Sequence, residues 1–176
     1  MSGMLLSQLA EALDARLIGN DVLVRNISTD SRTLQAGDCF VALQGPNFDG
    51  HDYLDIALQQ GARAALVSRE TGHRLPQLLV ADTRLALGRL GALWRDASHA
   101  KVVAITGSNG KTTVKEMVAS ILRLEGPVLA TEGNYNNELG LPLTLFRLAA
   151  DDRYAVIEMG ANHAGAAVGD HETHGD

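Results

Sequence analysis

The sequence predicts an α/β protein in two parts, with a mainly parallel sheet in the second part. Before residue 82, short apolar runs alternate with turn-rich segments and two helical stretches. From residue 100 onward, strand-like apolar runs alternate with helices, which is typical of βαβ units. A glycine-rich loop, GSNGKTT, separates the first of these strands from the helix that follows it. These observations indicate a small α/β domain followed by a domain with crossover helices.

The first part contains several short predicted strands and two predicted helices. The helices lie near residues 5–13 and 52–60, and leucines recur along one side of the first helix. The strands are the apolar runs at 15–19, 22–24, 39–43, 63–67 and 77–81. The segments between them are rich in turn-forming residues and predict loops that contain Ser31, Arg32, Gly45, Pro46, Asn47, Asp49 and Gly50.

A longer helix is predicted to connect the two parts. Asp82 is a favoured residue type for a helix N-cap, and helical periodicity continues to about Ala97. We therefore assign residues 1–81 to the first domain, 82–99 to a connecting helix, and the chain from residue 100 to the second domain. The periodicity puts one set of apolar residues near one helix face: Leu85, Leu90, Leu93, Trp94 and Ala97.

The second part has the rhythm of a parallel sheet. Apolar runs at 101–106, 127–130 and 154–159 predict strands, and the stretches at 114–124 and 139–148 predict helices. Strands that are joined through helices usually run parallel, with right-handed crossovers. The expected architecture is therefore a parallel sheet covered by helices.

The loop after strand 101–106 has the chemistry of a phosphate-binding loop. It is shorter than the usual G-x-x-x-x-G-K-[ST] pattern, because Ile105 stands where that pattern has its first glycine. Gly107 and Gly110 permit torsions that turn consecutive N–H groups toward phosphate oxygens at a helix N-terminus. Lys111 adds a positive charge for the β- and γ-phosphates, and Thr112 offers a hydroxyl to Mg²⁺. The alternative is a glycine-rich turn that binds no ligand.

Two further polar features follow predicted strands. Asn134, Asn136 and Asn137 cluster in TEGNYNNELGLPLTL, in a position where α/β sheets bind ligands, although a capped loop is the commoner reason for such a cluster. Glu158 ends the strand YAVIEM, where a carboxylate can reach Mg²⁺ beside the phosphate loop. The alternative for Glu158 is a solvated strand end.

Composition excludes several classes of function. With 15 Lys and Arg against 21 Asp and Glu, the net charge of -6 provides no basic surface for nucleic acid. No run of 18 apolar residues predicts a membrane span, and the N-terminus lacks the features of a signal peptide. The single cysteine, Cys39, excludes an intramolecular disulfide and is expected to be a buried strand residue. These features predict a globular, cytoplasmic protein.

Five stretches resemble the Mur ligases of bacterial peptidoglycan synthesis. Three lie in the second part: GSNGKTTVKEM, NYNNELGLPLTL and VIEMGANHAG. Two lie in the first part: STDSR and GDCFVALQGPNFDGHDYLDIALQQGARAAL. The resemblance extends over about residues 5–165. It implies a UDP-sugar-binding domain at 1–81 and the first part of a P-loop-type, ATP-binding central domain at 100–165.

The resemblance implies an ATP-dependent ligase that forms an amide bond through an acyl phosphate. The segments NNELGLPLTL and EMGANH resemble the subgroup that joins D-Ala-D-Ala to a UDP-MurNAc-tripeptide. The ligase that adds the third amino acid to a UDP-MurNAc-dipeptide resembles the first part equally well. A folylpolyglutamate-synthase-like ligase shares the loop chemistry, but the STDSR-type first domain speaks against it. A fragment that binds a UDP-sugar and a nucleotide without turnover is a further alternative, and the intact family member is expected to be monomeric.

The same resemblance implies the site residues. Lys111, Glu158 and His163 would be catalytic, Thr112 and Glu158 would hold Mg²⁺, and Ser31 and Arg32 would contact the uridine nucleotide. For His163 the alternative is a capping or surface histidine, and residues 30–32 could equally form a satisfied turn. The residues that would bind ATP are Gly107, Ser108, Asn109, Gly110, Lys111, Thr112, Thr113, Asn134 and Asn137.

After Gly165 the chain departs from the family pattern. The family continues with Glu-Ile and a long apolar helix, whereas this chain reads AAVGDHETHGD. Residues 166–176 lack a helical apolar period and are predicted to be unstructured, and His171 with His174 does not by itself define a metal site. We therefore expect an N-terminal fragment that does not catalyse ligation alone and whose second part exposes a strand edge and an apolar face.

Overall fold

The computed structural model describes residues 3–133 and 135–160 of the chain. It divides the chain into two compact units, Met1–Leu90 and Gly91–Asp176. The architecture is mixed α/β with parallel strands, as the sequence predicts. The predicted tail at 166–176 and His163 lie outside the described residues.

The first unit is built on a five-stranded sheet in the order β2 (Arg16–Ile18), β9 (Gln77–Leu79), β8 (Ala64–Val67), β5 (Cys39–Val41) and β4 (Ile27–Ser28). The last four of these strands run parallel to one another, and β2 runs antiparallel to β9. Its helices are α1 (Leu6–Leu13) and α2 (Leu54–Gln59), with a 3₁₀ turn at Gly50–Tyr53 before α2. Its strands are β1 (Met4–Leu5), β2 (Arg16–Ile18), β3 (Leu23–Val24), β4 (Ile27–Ser28), β5 (Cys39–Val41), β6 (Gln44–Gly45), β7 (Phe48–Asp49), β8 (Ala64–Val67) and β9 (Gln77–Leu79).

The core of the first unit lies between this sheet and its helices. The buried side of α1 is formed by leucines three and four residues apart, which is the spacing of one helix face. The central strands β5 and β8 are buried on both faces, as expected for parallel strands. The main cluster of buried side chains comprises Leu34, Phe40, Ala42, Leu54, Ala57, Ala62, Ala65, Val67 and Leu75.

The prediction that Gly45, Asp49 and Gly50 lie in loops is wrong, because Gly45 and Asp49 are strand residues and Gly50 begins the 3₁₀ turn. The antiparallel strands β6 and β7 pair around Pro46 and Asn47, with Gln44 opposite Asp49 and Gly45 opposite Phe48. Only the two central residues therefore form the turn. Such a short ladder leaves no apolar run for sequence periodicity to detect, because each of its strands has two residues.

Helix α3 spans Thr83–Asp96. The prediction of Asp82 as its N-cap is confirmed, because the Asp82 Oδ1 atom accepts hydrogen bonds from the N–H groups of Arg84 at 2.7 Å and Leu85 at 3.1 Å. The predicted apolar face is wrong at Leu85, which is 59% exposed, and at Ala97, which is exposed beyond the helix end. The buried apolar side chains are Ala86, Leu87, Leu90 and Trp94, and their intervals of one, three and four residues put them near one helix face.

The second unit contains a three-stranded parallel sheet. Its strands are β10 (Lys101–Ile105), β11 (Val128–Ala130) and β12 (Tyr154–Glu158), and their order in the sheet is β10-β12-β11. Its helices are α4 (Lys111–Leu122) and α5 (Gly140–Leu145), and α4 packs against the sheet. The core consists of Leu129, Leu145, Leu148, Ala155 and Ile157. The central strand is therefore also the most buried one.

Helix α4 buries a lysine and exposes a stripe of apolar side chains. Its buried residues are Lys115 and Ala119, whereas Val114, Met117 and Ile121 are 47%, 60% and 64% exposed. In the described sheet, β10 pairs with β12 alone, so its other edge is open. The second unit thus exposes both an apolar helix face and a strand edge, as the sequence predicts.

None of the helices in the described part of the chain combines the length and the apolar character needed to cross a bilayer.

The Cys39 thiol lies at the start of β5 and is 1% exposed. Burial, with a contribution from the nearby Asp38 carboxylate, raises the pKa of this thiol to about 12. Because the thiolate is the reactive form, we expect a thiol reagent at pH 8 to label the native chain at least about a hundredfold more slowly than the urea-unfolded chain. Stoichiometric labelling of the native chain within the time needed by the unfolded one would contradict this burial.

Candidate functional site

The glycine-rich loop lies between the carboxyl end of β10 and the start of α4. Gly107 and Gly110 have φ values of 149° and 73°, which favour glycine. Gly110 is the N-cap of α4, and no side chain caps the first turn of the helix. The Lys111 ammonium donates a hydrogen bond to the Gly107 carbonyl at 2.7 Å, so the lysine folds back over the loop. The helix begins at Lys111, three residues earlier than predicted, so the Lys-Thr-Thr segment forms its first turn.

Glu158 lies beside this loop at the carboxyl end of β12. The parallel register puts Ile105, the last residue of β10, opposite Glu158. The Glu158 side chain is only 3% exposed, and its Oε2 atom accepts a hydrogen bond from the Thr112 hydroxyl at 3.0 Å. The structure therefore brings together the two residues that the sequence analysis selected for Mg²⁺. They are 46 positions apart in the chain.

The asparagine segment contributes Asn136 to the same site. Its Nδ2 group donates to the Glu158 Oε1 atom at 3.0 Å, and its carbonyl accepts from the Gly160 N–H at 2.8 Å. Asn137 has a different role in the fold, because its Oδ1 atom accepts from the N–H groups of Leu139 at 3.2 Å and Gly140 at 2.7 Å. Those bonds form a capped loop, which is the alternative explanation of the cluster.

Of the predicted site residues in this segment, Asn134 lies outside the described residues, as does His163 further along the chain. The other loop residues, Ser108, Asn109 and Thr113, are exposed around the start of α4.

Two residues of the site escaped the sequence analysis. Thr131 follows β11 directly, and its hydroxyl accepts the Glu158 N–H at 2.9 Å. Lys115 lies on the inner side of α4, and its ammonium donates to the Thr131 carbonyl at 2.6 Å. The sequence offered one signal for Lys115, which precedes Ala119 by one helical turn, so that the two residues share a helix face. Thr131 had none, because a threonine after a short strand is common.

In the first unit, Ser31 and Arg32 lie in a turn organised by Asp30. Ser31 is buried, whereas the Arg32 side chain is 86% exposed. The Asp30 carboxylate accepts from the Arg32 N–H at 2.9 Å and from its Nη2 group at 2.7 Å. Hydrogen bonds from the Arg32 side chain and backbone lower the pKa of the Asp30 carboxyl to about 2. The satisfied turn considered for residues 30–32 is therefore present, with the guanidinium at the surface.

Comparison with known families matches both parts of the chain. The model of the Mur ligase family, catalytic domain, matches residues 23–95. The model of the Mur ligase middle domain matches residues 105–172. The first match includes the Asp30 turn, and the second begins at the glycine-rich loop.

Several known ligases of this family resemble the chain over most of its length. The UDP-N-acetylmuramoyl-tripeptide--D-alanyl-D-alanine ligase of Escherichia coli (strain K12) is 52% identical over 94% of this chain, which is 36% of that ligase. A crystal structure of MurF from Acinetobacter baumannii superposes with a TM-score of 0.82 and 43% identity, over 94% of this chain and 38% of that one.

A MurF ligase from Thermotoga maritima, crystallised in complex with ADP, has a TM-score of 0.70 and 37% identity, over 78% of this chain and 32% of that one. The chain thus spans about a third of the length of these relatives. The two family models together match residues in both units. The sequence identities of 52%, 43% and 37% are higher than the level at which a similar structure indicates a shared fold alone. The chain therefore belongs to the Mur ligase family.

Proposed function

We propose that the second unit binds Mg·ATP at the loop of residues 107–113 and Glu158. The observation that supports this most directly is the 3.0 Å contact between the Thr112 hydroxyl and the Glu158 carboxylate, beside an uncapped helix start. Hydroxyl and carboxylate oxygens at the end of a phosphate loop are the usual protein ligands of nucleotide-bound Mg²⁺.

The donor set fits Mg²⁺ in number as well as in type. In the described part of the chain, no three or more His, Cys, Asp and Glu side chains cluster as a metal site. Mg²⁺ does not need such a cage, because it commonly takes one or two protein oxygens and completes its octahedron with water and phosphate. Thr112 and Glu158 would hold the ion, which would neutralise phosphate charge during transfer.

We further propose that the chain provides the nucleotide- and UDP-sugar-binding parts of a ligase that joins D-Ala-D-Ala to a UDP-MurNAc-tripeptide. This proposal is supported by the similarity to the Escherichia coli relative, which is a UDP-N-acetylmuramoyl-tripeptide--D-alanyl-D-alanine ligase. Such a ligase would act in the cytoplasm, a location supported by the single, buried cysteine, which has no second cysteine in the chain with which to form a disulfide.

The reaction would proceed in two displacements. A terminal carboxylate oxygen of the tripeptide attacks the γ-phosphorus of ATP, the bond to the bridging β,γ-oxygen breaks, and ADP leaves. The amine of D-Ala-D-Ala then attacks the acyl carbon, loses a proton and expels phosphate. The N–H groups at the start of α4 and the Lys111 ammonium would stabilise the charge on the transferring phosphoryl group.

A second candidate is a binding module without turnover, because both candidate ligand sites, the glycine-rich loop and the Asp30 turn, lie in the described part of the chain. Phosphate release distinguishes the two. Release from Mg·ATP that requires both UDP-MurNAc-tripeptide and D-Ala-D-Ala would identify ligase activity in this chain. Binding of nucleotide and UDP-sugar with no release above background would identify the binding module.

The nucleotide site is tested by Lys111→Ala. Loss of a charged hydrogen bond to phosphate should weaken Mg·ATP binding about 10- to 100-fold in a calorimetric titration. Lys101→Ala is the matched control, since Lys101 is an exposed lysine at the opposite end of β10. Equal affinities for the two variants would rule out the loop as the phosphate site.

The UDP-sugar site is tested by Arg32→Ala. Removal of the exposed guanidinium should weaken UDP-MurNAc-tripeptide binding about tenfold, because it removes a charged donor to the diphosphate. The melting temperature should change little, since exposed ion pairs such as Arg32–Asp30 contribute little stability. Arg74→Ala, at an exposed arginine of the same unit, is the control.

The result for Arg32 would be contradicted if both arginine variants bound the UDP-sugar like the unaltered chain. Tighter binding of the UDP-MurNAc-dipeptide than of the tripeptide would instead favour the ligase that adds the third amino acid.

A further inference from the structure

Lys115 is a buried lysine in helix α4, which exposes three apolar side chains to solvent. It is 2% exposed, and its ammonium contacts the Thr131 carbonyl at 2.6 Å and the Glu116 carboxylate at 2.9 Å. Burying a charge is costly unless hydrogen bonds and an opposite charge compensate for it. An apolar residue of similar length would fill the same space without this cost. The lysine therefore needs an explanation beyond packing.

Thr131, the acceptor of that hydrogen bond, is equally buried, with 1% exposure. It extends the pairing of β11 with β12 past the last ladder residue. Its N–H donates to the Val156 carbonyl at 3.0 Å, and its hydroxyl accepts the Glu158 N–H at 2.9 Å. The hydroxyl thus takes the place of a backbone acceptor at the point where the strand ends.

The contacts form a closed ring through three elements. Lys115 bonds Thr131, the Thr131 hydroxyl bonds the Glu158 backbone, and the Glu158 carboxylate bonds the Thr112 hydroxyl. Helix α4 closes the ring covalently, because it contains both Thr112 and Lys115. On the other side of β12, the Met159 N–H donates to the Ile105 carbonyl at 2.9 Å. The backbone at Glu158 is therefore held from both neighbouring strands.

We propose that Lys115 and Thr131 are positioning residues that hold the Glu158 carboxylate at metal-binding distance from Thr112. This inference rests on the proposed function of the site as a Mg·ATP site. Neither residue would touch the metal or the nucleotide. Lys115 ties the start of α4 to the end of β11, and Thr131 transfers that constraint to β12.

The test is the Mg²⁺ dependence of nucleotide binding to the 176-residue chain. ADP binding is titrated at increasing Mg²⁺ and, separately, in EDTA. Thr131→Val removes the hydroxyl with little change of shape, and Lys115→Met removes the ammonium while keeping a long side chain. Loss of an outer-shell partner commonly weakens metal affinity about 10- to 100-fold. We expect both variants to need about tenfold more Mg²⁺ for half-saturation, with unchanged ADP affinity in EDTA.

Two controls separate positioning from general damage. Thr131→Ser keeps the hydroxyl and should restore the Mg²⁺ requirement to within about twofold of the unaltered chain. Glu116→Gln removes the negative charge of the exposed partner of Lys115 but leaves the bond to Thr131, and it should also behave like the unaltered chain. Thermal melting of each variant identifies any that fail to fold, and the two disruptive variants break the ring at different bonds.

Three results would count against the inference. An unchanged Mg²⁺ requirement in Thr131→Val and Lys115→Met would overturn it while leaving the proposed site intact. An equal loss of ADP affinity with Mg²⁺ and in EDTA would show a merely structural role. If the unaltered chain bound ADP without any dependence on Mg²⁺, and Glu158→Gln changed nothing, the proposed metal site would fail and this inference with it.

Discussion

The second unit is organised around one buried carboxylate. Glu158 is at the end of the most buried strand of its sheet, and a carboxylate in that position must be hydrogen-bonded to be tolerated. Thr112 and Asn136 each bond one of its oxygens, and Thr131 bonds its backbone. The glycine-rich loop, the asparagine segment and the strand that follows α4 are therefore all bonded to one residue, Glu158. The proposed metal site uses the same contacts that satisfy the buried charge.

The two candidate sites differ in how their charged residues are used. In the second unit, Lys115 and Glu158 are buried and bonded to groups distant in sequence. In the first unit, Asp30 and Arg32 form an exposed pair within one turn, and that pair lowers the pKa of Asp30 without involving the core. An exposed turn can exchange its internal bonds for a ligand at small cost, whereas the buried ring cannot. The exposed turn suits a surface that receives a ligand, and the buried ring suits a fixed set of metal-binding atoms.

Much of the fold could be predicted from local pattern. The loop GSNGKTT, the strands around it and the N-cap at Asp82 follow from residue types at fixed spacing. The apolar face of α3 was misjudged at Leu85, because several leucines lie on different sides of that helix and periodicity alone left the choice open. The short strands β6 and β7 were missed because two residues are too few to show alternation. These errors arise where the local signal is weak.

The sequence by itself determined the α/β class, and it predicted a phosphate-binding loop and the candidate pair of Thr112 and Glu158, because these depend on residue type and order along short segments. Only the tertiary structure decided which neighbours complete the site. Asn136 and Thr131 reach Glu158 across 22 and 27 positions, and Lys115 reaches Thr131 across 16. Contacts over such separations depend on strand order and register, which no local pattern specifies.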